Sequence, residues 1–107
     1  MKHNKLVRDK IPEILIREGK VFKTHKATHG EYLEHLYLKL IEELMEFRNN
    51  PCDEEMADIY EVLQALEIYH NLDGDEIKAE QVLKRDRKGS FLDGIILEEI
   101  AEIVKTE

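Results

Sequence analysis

The sequence has no tryptophan, a single cysteine, two prolines and five glycines in 107 residues. Each shortage excludes something. One cysteine, Cys52, cannot form an internal disulfide framework, which fits a reducing compartment and predicts a cytoplasmic protein. So few prolines and glycines leave little material for a turn-rich β architecture. No apolar run approaches the length of a membrane span, and the basic N-terminus carries no signal-peptide core, so no membrane partner is expected. An excess of positive charge is also missing. The formal net charge is −8, which argues against a broad nucleic-acid-binding surface and predicts no nucleic-acid polymer as partner.

What is present is 42% hydrophobic and 37% charged residues, a composition that supports a folded, helix-rich chain of one domain spanning 1–107. The charge is unevenly spread. Residues 1–28 carry a net +5 and the remainder a net −13, with KRDRK (84–88) as a basic island in the acidic part. An acidic middle flanked by basic segments suits a metal plus a polyanionic small molecule. A solvated surface with arbitrary patches explains the same charges.

Hydrophobic periodicity predicts the elements. Residues 1–10 read as an arm. Pro12 suits the first turn of a short helix, PEILIRE, which Gly19 can end. VFKTHKAT (21–28) reads as an extended connector or a short strand. A long helix is expected from about Gly30 to Asn49, stopped by Asn49, Asn50 and Pro51, and a second from Asp53, as N-cap, to about Asn71. NLDGD reads as a loop. A third long helix should cover Asp75 to Arg87, Phe91 to Ile96 has extended character, and ILEEIAEIV (96–104) has helical periodicity. The short Asn50–Pro51 connection makes the two central helices antiparallel neighbours.

The chemistry lies where those helices meet. LIEELMEFRNNPCDEEMADIYEVL (40–63) holds eight carboxylates and one basic residue. In the first helix the apolar row Leu33, Leu36, Leu40, Phe47 is interrupted at Glu43, and Glu46 follows on the same side. In the second, the rows through Ile59, Val62, Ala65, Leu66 and Tyr69 extend back to Glu55 and Asp58. Four carboxylates on facing inner rows would repel one another and lose hydration. A divalent cation resolves that conflict, and an all-oxygen ligand set favours Mg²⁺ or Mn²⁺ over zinc. Acids that simply face solvent are the competing account, since Glu is a good helix former and acids suit a helix start.

Glu42-Glu43-Leu-Met-Glu46 followed by Glu55-Met-Ala-Asp58 resembles the EExxE…ExxD signature of the all-α nucleoside triphosphate pyrophosphatases. That superfamily includes MazG, the dimeric dUTPases and phosphoribosyl-ATP pyrophosphohydrolase. NKLVRDKIPEIL (4–15) and KRDRKGSFLDGIILEE (84–99) resemble the two ends of its small MazG-like, phosphoribosyl-ATP pyrophosphohydrolase-like branch. The resemblance implies an antiparallel all-α bundle, a homo-oligomer (dimer or tetramer), and Mg²⁺-dependent hydrolysis of a nucleoside triphosphate to monophosphate and pyrophosphate. It implies Glu43, Glu46, Glu55 and Asp58 as metal ligands and catalytic residues, with Glu42 and Glu61 as alternates. In the same picture Lys5, Arg8 and Lys10 in the arm, and Lys84, Arg85, Arg87 and Lys88 in the island, become candidates for phosphate contacts. One departure stands out. Only eight residues separate Glu46 from Glu55, where the superfamily usually has more. A phosphoribosyl-ATP activity, or a non-catalytic nucleotide- or partner-binding oligomer, remain alternatives.

Other signals are weaker. His25, His29 and His35 match no zinc spacing. Cys52 has no evident base, and NLDGDE departs from a calcium loop at its glycine and at Val82. Tyr32, Tyr37, Tyr60 and Tyr69 read as core or interface residues.

Overall fold

The computed structural model describes residues 4–102. It contains four helices: α1 (Ile11–Arg17), α2 (His29–Asn49), α3 (Asp53–Tyr69) and α4 (Gly74–Lys88). No strand occurs among the described residues, so the chain is all-α there and 21–28 is an irregular connector. Among the described residues no helix is long and apolar enough to cross a membrane. The described residues fall into two compact units that divide between Asp73 and Gly74.

In the first unit, Pro12 sits in the first turn of α1, where its missing N–H costs nothing. Gly19, at φ +70°, closes that helix in a Schellman motif: Gly19 N–H donates to the Ile16 carbonyl and Lys20 N–H to that of Leu15, each at 3.0 Å. α3 ends in the same way with a different residue. Asn71 adopts φ +56°, its N–H donates to the Ile68 carbonyl at 3.2 Å, and Leu72 N–H reaches that of Glu67 at 2.9 Å. Asparagine is among the few non-glycine residues that tolerate this conformation.

α2 starts one residue before the expected Gly30, and its start is better determined than the apolar pattern suggested. The Thr28 hydroxyl accepts from Glu31 N–H while the Glu31 carboxylate accepts from Thr28 N–H, each at 3.3 Å, a reciprocal capping box. At the other end Asn50 leaves the helix at φ −145°, ψ 77°, outside the α region that a following proline disfavours. α3 begins at Asp53, with Cys52 as its N-cap and no side-chain cap bond. The expectation that Asp53 caps this helix is therefore corrected. Asp53 is its first residue, where its charge still complements the helix dipole together with Glu54 and Glu55.

α2 and α3 pack as an antiparallel hairpin through the rows the periodicity indicates. Leu36 is 2% exposed, Ile59 and Val62 are also buried, and Leu33, Leu40, Phe47, Leu66 and Tyr69 are half-buried beside them. At the open end of the hairpin the rings of His29 and Tyr69 lie 4.9 Å apart, those of Tyr32 and Tyr69 5.9 Å, and those of Tyr69 and His70 5.1 Å. The Tyr37 hydroxyl meets His70 Nε2 at 3.3 Å.

The second unit consists of α4 and the segment after it. No residue of α4 is buried. Gly89, at φ +85°, follows its last turn. Residues 89–102 form turns and irregular chain, so there is no strand at Phe91–Ile96 and no helix over the described part of the tail, 96–102. Within that tail, Ile96, Leu97 and Ile100 are exposed, and Ile103 and Val104 lie outside the described residues. A nine-residue amphipathic stretch is too short to be helical without a surface to cover its apolar face.

Candidate functional site

The hairpin brings residues far apart in sequence together near its turn. Glu43 comes from α2, Glu55 and Asp58 from α3. One carboxylate oxygen from each lies within 4.8 Å of the others. Glu43 sits in the apolar row of α2, and its side chain is 12% exposed. Glu55 and Asp58 are half-buried.

The remaining acids of the motif are disposed differently. Glu46 is exposed and outside the group of three, although its charge is felt at Glu55. Glu61 is exposed on α3 and is also outside it. Glu42 faces the arm, where Lys5 Nζ donates to its Oε1 at 3.1 Å.

Electrostatics separate these acids. Burial pushes Glu55 above the ordinary carboxylate range, and the charges of Glu46, Asp58, Glu43 and Glu54 push it the same way. At Glu42 burial also works upward, but it is outweighed. The Lys5 hydrogen bond and the charges of Lys39 and Lys5 hold Glu42 below its usual value.

Cations from the chain itself enter this end of the hairpin. Arg8 Nη2 donates to Asp58 Oδ1 at 2.6 Å. Lys39 Nζ lies 3.5 Å from both Glu42 Oε2 and Glu43 Oε1. Two open cavities flank the arm. One, of about 220 Å³, is lined by Val7, Arg8, Ile11, Lys39, Glu43 and Asp58. The other, of about 180 Å³, is lined by residues including Lys5, His35, Lys39 and Glu42.

Of the basic residues proposed from sequence, Lys5 and Arg8 are therefore joined to acids of the hairpin. Lys10 is exposed at the N-cap of α1. Lys84, Arg85, Arg87 and Lys88 are exposed on the last turns of α4, in the second unit. Lys39 escaped the sequence reading. Its signal was there, since it precedes Glu42 by three and Glu43 by four, the spacings that share a helix face.

The discounted residues have other roles. His25 Nε2 meets the Glu31 carboxylate at 3.0 Å, which holds Glu31 below its usual value. His29 packs on Tyr69, and Cys52 is exposed in the interhelical turn.

The three carboxylates form an all-oxygen donor set from two rigid helices, of the kind that suits a hard divalent cation. Comparison with known protein families, curated proteins and solved structures finds no match to this chain.

Proposed function

We propose that the chain is a Mg²⁺-dependent nucleotide pyrophosphohydrolase of MazG-like type, cleaving a nucleoside triphosphate between its α- and β-phosphates and clearing non-canonical nucleotides. The observation that carries this reading is the meeting of Glu43, Glu55 and Asp58 within 4.8 Å, from both halves of the acidic motif. The eight-residue gap between Glu46 and Glu55 does not prevent that meeting, because antiparallel packing needs only a short turn.

Glu43, Glu55 and Asp58 would hold Mg²⁺, with Mn²⁺ as a substitute and Glu46 as a neighbouring acid. The bound ion supplies charge neutralisation for the phosphates and a water of lowered pKa. Arg8 and Lys39, lining the cavity beside the acids, supply positive charge for a phosphate group. Lys84, Arg85, Arg87 and Lys88 stand as further phosphate-binding candidates on the resemblance of their segment alone.

An outer face of α2 made of Tyr37, Leu38, Ile41, Leu44 and Met45 is exposed, which supports assembly into a homo-oligomer. Sedimentation of the full chain measures that directly.

The deciding experiment is a pyrophosphate-release assay over common, deoxy and damaged nucleoside triphosphates with Mg²⁺ or Mn²⁺, paired with calorimetric metal titration. Turnover that disappears in Asp58→Asn supports the proposal. Absence of both turnover and metal binding sinks it.

A second reading is favoured by one specific observation. Arg8 and Lys39 already pair with the acids, so the hairpin can hold its negative charge as a structural network. In that case the protein is a nucleotide- or partner-binding module, and it binds nucleotide without turning it over.

A further inference from the structure

We infer that the arm is a strap in which Arg8 competes with a divalent cation for Asp58, so that cation binding releases the arm and frees the Arg8 guanidinium for a phosphate group. The inference rests on the metal-site reading above and concerns how that site is controlled.

Its basis is the contrast between the two cations that touch the three acids. Lys39 projects from the middle of α2, is 20% exposed, and reaches Glu43 across one helical turn. Its backbone is held by the helix, so only a change of side-chain rotamer can carry it away. Arg8 lies on a segment with no regular structure, its side chain is 57% exposed, and it reaches Asp58 from fifty residues away in sequence. The arm is pinned to the hairpin again by Lys5 on Glu42, also a partly exposed pair. Behind Arg8 the chain turns at once into α1, with Ile11 N–H donating to the Arg8 carbonyl at 3.0 Å. That turn is a natural pivot.

Energetics favour exchange. A half-exposed ion pair is weak. A divalent cation engages all three carboxylates together and repels the guanidinium beside it. The displaced Arg8 stays charged, and its planar fork matches phosphate oxygens. The 220 Å³ cavity that Arg8 lines with Lys39, Glu43 and Asp58 gives such a group a place beside the acids. Cation binding would in this way prepare the phosphate contact before nucleotide arrives.

The test uses the full chain and Mn²⁺ as probe. In calorimetric titration at low salt, Arg8→Gln should bind Mn²⁺ about two- to five-fold more tightly than wild type, the scale set by losing one exposed ion pair. Arg8→Lys, which keeps the charge, should stay near wild type. Independently of any variant, Mn²⁺ should accelerate tryptic cleavage of the wild-type Lys5–Leu6 bond. In Arg8→Gln that cleavage should be fast from the outset and indifferent to Mn²⁺. Wild-type Mn²⁺ binding without faster cleavage, or with equal or weaker binding by Arg8→Gln, overturns the strap and leaves the metal site standing. Failure of wild type and both variants to bind Mn²⁺ removes the metal site and the strap with it.

Discussion

The two ends of the α2–α3 hairpin are built from the same pair of helices and solve opposite problems. The open end is aromatic: His29, Tyr32, Tyr69 and His70 stack and tilt against one another, and a capping box closes the start of α2. The turn end carries Glu43, Glu55 and Asp58 on the same inner rows that hold Leu36, Ile59 and Val62 further along. Packing at the open end is satisfied by its own side chains. At the turn end, like charges converge, and cations must be drawn in from the arm and from Lys39. Acids on an inner row oppose burial unless cations answer them, and here Arg8 and Lys39 do so.

The strongest way to break the comparison is to remove what both ends share. Leu36→Ala should destabilise the hairpin by about 2–5 kcal/mol, because the deleted atoms come from the most buried position. Thermal denaturation followed by circular dichroism should show both ends melting together.

Next in size is an effect confined to the turn end. Glu43→Gln or Asp58→Asn should weaken Mn²⁺ binding by about ten- to a hundredfold, a loss already typical of removing a supporting group around a metal. The thermal midpoint without metal should fall little or rise. Calorimetry and melting curves on the same samples check the pair of outcomes, and a large fall in stability with unchanged affinity would identify the acids as structural.

Confined to the open end, Thr28→Ala should cost about 1 kcal/mol by removing the cap, measured by denaturant unfolding, and should leave Mn²⁺ affinity unchanged.

The smallest effects distinguish the two ends by sign. Glu55 titrates above its usual 4.5, so its ionisation opposes folding. That penalty is absent below the unfolded value and complete once pH exceeds the raised folded value. Glu31 titrates below 4.5, so its contribution is present above the unfolded value and fades as pH falls through the lowered folded value. Hence Glu55→Gln should raise the thermal midpoint at pH 7, Glu31→Gln should lower it, and both differences should shrink towards pH 3. A series of melts from pH 3 to 7 reads out all four limits.

How far the sequence reaches can be judged residue by residue. The apolar rows were legible because helix period and burial agree along Leu36, Ile59 and Val62. Glu43, Glu55 and Asp58 stood out because they occupy positions in those rows where an apolar residue belongs. Pro12, Gly19 and Pro51 marked element ends because each restricts the backbone whatever surrounds it. The capping box was equally legible in Thr28 and Glu31 but was overlooked in favour of the apolar pattern. Asp53 illustrates the limit of such signals. A good capping residue was available, yet the turn geometry left Cys52 at the cap position. The described part of the tail, ILEEIAE (96–102), shows another limit, since periodicity states a preference and only a packing partner realises it.

By itself, then, the sequence determined the all-α character, the α2–α3 hairpin and which acids its inner rows carry, because those follow from spacing, proline geometry and a turn too short for any other connection. Only the tertiary structure decided that three of the four acids converge while Glu46 stays outside. It also decided that Lys39 and Arg8 are the cations that answer them, and that Lys5 and Arg8 rest on carboxylates. These outcomes depend on helix rotation and on where an irregular arm lies down, and neither is encoded in a local pattern.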